Sequence, residues 1–330
     1  MFKFDVGVEI GTTNTKISFR NEKENLILPS VVAVRKNTNS VVGFGEKAYD
    51  MLGKAPKTIV VKKTITRGVV ADFGLNKLML KEMFLKNIGR FFRKSKICVC
   101  FHSFMTNLEK LIFKNSIYDG ESDNVCLIDE SLASGIGAGL DFSSKTSFFI
   151  VNIGGGTTDI AVIGISGLIE NTSFQIGAEL IDEIIYKNLL KNYNLQIGKI
   201  AAEKLKKMAA TLLKPSERLK FKVKGKDLIS KMPKTLELSQ KQICNGIEKP
   251  IEQIADNIFD FFRTLSTDLA LDVEKNGIIL TGGAGLISGI KQFLEKKLKL
   301  KVKILKNPLN SASVGALNSS KVLFEDILNL

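Results

Sequence analysis

The sequence predicts an α/β protein of two domains built on mixed sheets. Three observations carry that reading. Apolar runs of strand length alternate with amphipathic segments of helix length along the chain, the pattern of sheets layered with helices. A strand–Gly/Thr turn–strand unit occurs twice: Val8 to Phe19 reads V-E-I-G-T-T-N-T-K-I-S-F, and Val151 to Val162 reads V-N-I-G-G-G-T-T-D-I-A-V. Aligned without a gap, Glu9 falls on Asn152, Gly11 on Gly154, Thr13 on Gly156, Thr15 on Thr158 and Ile17 on Ile160. Two related domains are the simplest source of such a repeat. A third glycine turn, Gly282 to Gly285, follows an apolar run and opens the amphipathic stretch Leu286 to Leu298, a strand–turn–helix order whose helix N-terminus suits an anion.

Taken in order, Phe4 to Arg20 reads as a strand hairpin around the first turn. Leu28 to Val34 and Val41 to Phe44 read as short strands, Glu46 to Leu52 as a helix, and Val60 to Thr66 as an extended basic segment. Asn76 to Ile88 is an amphipathic helix, Lys96 to Phe101 a buried strand, Thr106 to Ser116 a helix and Val125 to Ile128 a strand. Asp129 to Leu140, D-E-S-L-A-S-G-I-G-A-G-L, is a helix of small residues able to approach a neighbour closely and to serve as a hinge or shear surface between halves. Its carboxylates Asp129 and Glu130 sit where a strand gives way to a helix; reactive groups and simple N-terminal charge complementarity are both open there. Helices follow at Ile181 to Tyr193 and Ile197 to Leu213, the latter with Glu203 and Lys206 at i, i+3. Phe221 to Val223 and Thr235 to Leu238 are strands of a small subdomain. Ser239 starts a long helix to about Asp268, with Ser239-x-x-Gln242 as a capping box. Ile278 to Thr281, a helix to about Leu298 and Val302 to Leu305 complete the second domain, and Asn310 to Asn329 returns to the first.

The turns carry the chemistry. Three consecutive glycines weaken a packed hairpin unless something approaches the backbone closely. Exposed N–H groups and Thr hydroxyls suit phosphate oxygens; a glycine hairpin without a ligand is the alternative. There is no G-x-x-x-x-G-K-[ST] sequence, which excludes a P-loop NTPase, and the glycines at 135–139 lack the dinucleotide spacing.

Composition bounds the rest. A chain of 330 residues, 44% hydrophobic and 25% charged, holds two ordinary domains. No apolar run reaches the length of a membrane span and Met1-Phe-Lys-Phe-Asp lacks a signal-peptide core, which predicts a cytoplasmic protein. Cys98, Cys100, Cys126 and Cys244 have no C-x-x-C spacing and read as free buried thiols. His102 is the single histidine, which excludes catalysis by paired histidines. A net charge of +14 draws anionic partners, with solvated Lys-rich faces as the alternative. A nucleic-acid platform is excluded by the lack of aromatic–basic interleaving.

These motifs resemble those of the MreB family of bacterial actins. V-E-I-G-T-T-N-T-K resembles the family's D-L-G-T-x-N-T, N-I-G-G-G-T-T-D-I-A-V-I its D-I-G-G-G-T-T-E-V-A-V, and I-D-E-S-L-A-S-G-I-G-A-G-L its I-E-E-P-M-A-A-A-I-G-A-G-L. Ala202 to Lys206 resembles A-E-R-I-K, and L-T-G-G-A-G-L resembles L-T-G-G-G-A-L. The likeness spans nearly the whole chain in order. It implies an actin-like (ribonuclease H-like) two-domain ATPase fold, each domain with a large and a small subdomain around a nucleotide cleft. Domain I would be residues 1–140, with a small subdomain at about 33–66, completed by 307–330; domain II would be 141–306, with a small subdomain at about 181–240.

The resemblance further implies ATP or ADP with Mg²⁺. Carried over by position, Gly11, Thr12, Thr13 and Asn14 would hold the phosphates together with Gly154, Gly155, Gly156 and Thr157. Glu203 and Lys206 would face ribose or adenine, and Gly282, Gly283 and Ala284 would pack beside the adenosine. Glu130 matches the family's water-positioning carboxylate, with Thr157 its helper. Glu9 and Asn152 stand where the family has the aspartates that hold the metal's waters. Loss of one charge there predicts retained nucleotide binding with slow hydrolysis, which Asn152→Asp would speed.

The family also implies self-assembly into filaments of paired protofilaments, with co-assembly with paralogous MreB-like proteins left open. A near-inactive actin fold acting as a scaffold or partner subunit is the competing function. Gly89 to Lys96, G-R-F-F-R-K-S-K, falls where relatives carry a membrane-inserting loop. Phe91 and Phe92 with basic neighbours would hold an anionic membrane surface weakly per protomer and strongly per filament, at the inner face of the cell membrane; core packing under the 76–88 helix is the alternative. Val322 to Leu330 is weakly amphipathic and reads as a second contact or a fraying helix.

Overall fold

The chain builds one hairpin-centred sheet, then builds another of the same strand order. The structure, a computed structural model, describes residues 5–20, 25–88, 95–117, 124–142, 146–165 and 167–328. Its first part runs β1 (Asp5–Ile10), β2 (Asn14–Phe19), β3 (Leu26–Pro29), β4 (Val31–Arg35), β5 (Val41–Phe44), α1 (Glu46–Asp50), β6 (Ile59–Lys63), β7 (Ile65–Thr66), β8 (Val69–Val70), α2 (Phe73–Ile88), β9 (Lys96–Phe101), α3 (Asn107–Ile117), β10 (Val125–Asp129) and α4 (Glu130–Gly137). The second runs β11 (Phe148–Ile153), β12 (Thr158–Gly164), β13 (Gly167–Phe174), α5 (Glu179–Tyr193), β14 (Leu195–Gln196), α6 (Lys199–Ala209), β15 (Lys220–Asp227), β16 (Pro233–Ser239), α7 (Gln240–Ile243), α8 (Glu248–Thr264), α9 (Thr267–Asn276), β17 (Ile278–Thr281), a 3₁₀ turn at Gly283–Leu286, α10 (Ile290–Leu298), β18 (Val302–Ile304) and α11 (Ser311–Leu328).

The first five-stranded sheet has the order β10-β9-β1-β2-β3 and the second β13-β12-β11-β17-β18. In each, the first strand of the hairpin is central. β1 pairs antiparallel with β2 and parallel with β9; β11 pairs antiparallel with β12 and parallel with β17. Central strands buried on both faces need near-continuous apolar sequence, and all six residues of β1 and five of six in β11 are buried. Smaller sheets, β5-β4-β6 and β14-β15-β16, stand beside them.

Two cores follow. Met79, Met83 and Phe84 of α2 pack on the first sheet with Val8, Ile17 and Val99. Ile181 and Ile185 of α5, Ile254 and Ile258 of α8 and Leu294 of α10 pack on the second around Phe149. Each fully buried side chain of this kind contributes about 1.5–3 kcal/mol. Between the sheets lie α4 and α11. Their crossing is glycine-tight: a Cβ on Gly137 would come within 1.9 Å of the Ser311 carbonyl, and one on Gly315 within 1.7 Å of that of Ala133. The small-residue stretch predicted to approach a neighbour therefore approaches α11.

Three expectations change, and one strand is added. Leu28 to Val34 is two strands in different sheets, divided at buried Ser30, whose hydroxyl donates to the Gly11 carbonyl at 2.7 Å. The long helix from Ser239 is three: the capping box is present, but Gly246 at φ +78° ends the first, and Ser266 caps the third by accepting from the Leu269 N–H. The helix after the third glycine turn starts at Ile290, because Gly289 takes φ +83°. The added strand is β13, an edge strand with half its side chains exposed and none buried, which shows no apolar alternation in the sequence.

The four cysteines are free and buried. No helix among the described residues is long and apolar enough to cross a membrane. Phe91 and Phe92 lie outside the described residues. In the Val322 to Leu330 stretch the described side chain is Leu323, which packs on the Cys98–Ala133 cluster.

Candidate functional site

The repeated hairpins end in matching turns. Gly11 N–H donates to the Asn14 carbonyl at 3.0 Å, and Gly154 N–H to the Thr157 carbonyl at 2.9 Å. Register then places Glu9 opposite Lys16 and Asn152 opposite Asp159. The gapless repeat that sets Glu9 on Asn152 also sets Lys16 on Asp159, so the four positions are one pair seen twice.

The two turns face and touch each other. A Cβ on Gly155 would sit 2.1 Å from Thr13 Oγ1, and one on Gly156 2.6 Å from Thr12 Oγ1. Glycine at these two positions answers to the opposing turn, while Gly11 and Gly154 answer to their own turn hydrogen bonds. Thr12 Oγ1 accepts from the Gly68 N–H at 2.9 Å, and Thr13 Oγ1 donates to Glu179 Oε1 at 2.7 Å, where Lys63 also binds at 2.6 Å.

A cleft of about 520 Å³ opens beside the turns. Glu9, Gly11, Thr12, Thr13 and Asn14 line one side. Glu130, Gly154, Gly155 and Thr157 line the other, and Glu203, Lys206, Gly283 and Ala284 the far end. Gly156, Asn152 and Gly282 do not line it. Gly156 is covered by Thr12. Asn152 is buried with its amide on Glu130, and Gly282, at φ +85°, is glycine because a Cβ would strike Asn152 Oδ1 at 2.4 Å. Those three therefore act behind the wall.

Charges at the far end are already paired. Glu203 takes the Tyr49 hydroxyl at 2.5 Å on one oxygen and Lys207 at 2.6 Å on the other. Burial pushes its pKa up, but these two partners outweigh it and hold the carboxyl below its usual value. Lys206 binds Asp182 at 2.8 Å and the Ala178 carbonyl at 3.2 Å. Burial raises Asp182 to about 6 against the pull of Lys206.

The deepest part is a buried charge cluster. Asp129 caps α4, accepting from the Ser131 and Leu132 N–H groups and from the Ser103 hydroxyl, so its role is structural. Glu130, one residue on, faces inward instead. Its Oε1 accepts from Asn152 Nδ2 at 2.5 Å, and its Oε2 lies 3.3 Å from His102 Nδ1. The same His102 nitrogen lies 3.2 Å from Asp159 Oδ2, and Asp159 Oδ1 accepts from the Ser173 hydroxyl at 2.7 Å. Lys16 binds Glu9. Burial pushes His102 down, but Asp159, Glu130 and Glu9 outweigh it and raise it to about 10. Burial carries Glu130 up to about 8; His102 works against the rise, while Glu9 and Asp159 add to it.

Sequence reading missed Lys16, Lys207, Asp159 and the place of His102. Hairpin register would have found Lys16 and Asp159, since the residue opposite Glu9 is fixed once the turn is. His102 follows β9 with no periodic signal.

Two like sheets, each lending a hairpin turn to one shared cleft, define an actin-like fold. The sequence matches the model of the MreB/Mbl protein family over residues 3–326. The chain belongs to that family. It is 30% identical over 316 residues to the cell shape-determining protein Mbl of Bacillus subtilis (strain 168), covering 96% of this chain and 95% of that one. It is 31% identical over 322 residues to the cell shape-determining protein MreB of Escherichia coli (strain K12), with 96% and 92% covered. The crystal structure of MreB5 of Spiroplasma citri bound to AMPPNP superposes with a TM-score of 0.91 at 27% identity, covering 100% of this chain and 99% of that one. The MamK double helical filament, at TM-score 0.78 and 18% identity, covers 97% of this chain and 99% of that one and shares the fold. The chain is thus a homologue of the cell shape-determining bacterial actins.

Proposed function

We propose that this chain binds ATP in the cleft and polymerises into cytoskeletal filaments for cell shape or motility, hydrolysing ATP slowly to ADP and phosphate. The observation that carries the reading is the pair of facing turns, whose residues line one cleft together with Lys16, Lys206 and Lys207. The AMPPNP-bound and ADP-bound structures of Spiroplasma citri MreB5 support it by likeness. In this reading Gly11 to Asn14 hold the phosphates together with Gly154, Gly155 and Thr157, with Lys16 adding positive charge and Gly156 supporting the turn from behind. Glu203 and Lys206 face the ribose or adenine, and Gly283 and Ala284 lie by the adenosine. Glu130 orients the attacking water with Thr157 beside it. In this reading the domains divide as 1–140 completed by 307–330, and 141–306.

The residues assigned to Mg²⁺ do not fit that ion as a two-carboxylate water cage. A hard cation needs oxygen ligands. Asn152 gives its amide to Glu130 with Oδ1 against Gly282, and Glu9 is already neutralised by Lys16. The same two features favour a second reading, a nucleotide-bound actin fold that hydrolyses little and serves as scaffold or partner subunit of other filament proteins.

Filaments of paired protofilaments, with or without paralogous MreB-like proteins, would lie in the cytoplasm at the inner face of the cell membrane, held by Phe91 and Phe92. Liposome pelleting of filaments tests the attachment: Phe91→Ser/Phe92→Ser should abolish it, and unchanged pelleting rejects it. Electron microscopy with ATP, ADP and no nucleotide, alongside phosphate release, separates the two functional readings. Nucleotide-dependent filaments with slow turnover are expected; nucleotide-independent filaments without turnover favour the scaffold.

A further inference from the structure

His102, Glu130 and Asp159 come from three separated stretches: the residue after β9, the first residue of α4 and the second residue of β12, next to the turn of the second hairpin. All three are buried, and the histidine nitrogen between the carboxylates belongs to the first sheet while Asp159 belongs to the second. We propose that His102 is a positioning residue for ATP hydrolysis, tying the Glu130 carboxylate to Asp159 through Nδ1 and so fixing the oxygen that orients water. This rests on the reading of Glu130 given above.

The terminal torsion of a Glu side chain is broad, so a carboxylate held at one oxygen still swings. Asn152 holds Oε1; the His102 contact at 3.3 Å restrains Oε2. The ring is itself fixed. It stacks on Phe104 at 5.5 Å with planes 5° apart, and a Cβ on Gly68 would lie 3.0 Å from its Cδ2. On the far side, Ser173 fixes Asp159. A continuous polar chain therefore runs Ser173–Asp159–His102–Glu130–Asn152 from one sheet to the other and back.

In the reaction, the water oxygen bonds to the γ-phosphorus and the bond to the bridging oxygen breaks, leaving ADP. The water's proton passes to Glu130 and then to the departing phosphate. His102 touches neither water nor phosphate in this scheme; it sets the angle of the group that does. A misplacement of about 1 Å in such a group costs on the order of 100-fold in rate.

The test measures steady-state phosphate release and ATP affinity on the full chain. His102→Phe keeps a ring but no donor and should slow turnover about tenfold or more with ATP affinity within about twofold. His102→Asn carries an N–H near the Nδ1 position and should recover most of the rate. Native turnover in His102→Phe overturns the proposal, as does a parallel loss of turnover and affinity that His102→Asn does not recover. Glu130→Gln separates the layers. If it stops turnover while His102→Phe does not, only the role of His102 falls; if it leaves turnover native, the reading of Glu130 falls and takes this role with it.

Discussion

The two glycine–threonine hairpins match in direction, turn hydrogen bond and register, yet their charges are arranged in opposite ways. The first is closed on itself: Glu9 and Lys16 face each other across β1 and β2 and pair. The second has Asn152 facing Asp159 on β11 and β12, an amide and an acid that both look outward for partners. Asn152 gives its amide to Glu130, and Asp159 finds its cation in His102, from the other sheet. In charge, a duplicated backbone thus carries one self-paired hairpin and one that depends on its neighbour, and that dependence links the halves at the cleft beside the Thr13–Glu179, Lys63–Glu179 and Tyr49–Glu203 contacts.

The largest effect should come from breaking the self-contained pair. Lys16→Met leaves the Glu9 carboxylate buried without its cation and should cost about 3–5 kcal/mol in urea unfolding, while Glu9→Gln with Lys16→Met should restore much of it. If the single and double variants unfold alike, the pair is not the unit described.

Next comes the contact between turns. Gly155→Ala drives a Cβ toward Thr13 Oγ1 and should cost about 1–3 kcal/mol, with ATP affinity falling alongside. Gly11→Ala, whose nearest neighbour is its own turn's Asn14 carbonyl at 3.0 Å, should cost less. Equal costs would mean that the turns do not meet as described.

The dependent hairpin should also be the pH-sensitive one. The folded chain raises His102 from 6.5 to about 10, so it binds this proton more tightly than the unfolded chain. That stabilisation is complete below pH 6.5 and is lost as pH climbs through 10. Glu130, raised from 4.5 to about 8, acts in the same direction over its own lower window. Thermal melts from pH 6 to 10 should fall for the native chain, and His102→Asn should flatten the upper part of that slope. A native chain equally stable across the range would contradict the assignment.

The smallest and most diagnostic effect concerns Asn152→Asp. By family resemblance this change speeds hydrolysis. In the structure it sets a second carboxylate against Glu130 at the place of a 2.5 Å hydrogen bond, where two like charges hold one proton between them. Phosphate release should therefore fall severalfold or stay flat. A clear gain would restore the cation-site reading of this position.

The hairpins, their pairing as a repeat and the third glycine turn were legible because turn glycines and apolar runs are local signals. The capping box at Ser239 was legible for the same reason. What escaped was set by long-range contact. The breaks in the 239–268 helix hang on one glycine in a left-handed turn and one serine cap inside an otherwise continuous amphipathic pattern. The sequence marks Gly155 and Gly156 as sites of close approach, and the group that approaches them in the structure is the other hairpin, 142 or more residues away. Family resemblance sets Asn152 beside a metal by position alone, and only side-chain geometry shows it turned to Glu130. As the single histidine, His102 tells from sequence only that paired histidines are absent; nothing in its local sequence shows the two acids it meets.

The most direct test of the facing turns is calorimetric titration of the folded chain with ATP. The account predicts saturable heat at one site per chain, weakened at least tenfold in Gly155→Ala. A correctly folded chain that releases no heat with ATP, with or without magnesium, would contradict it.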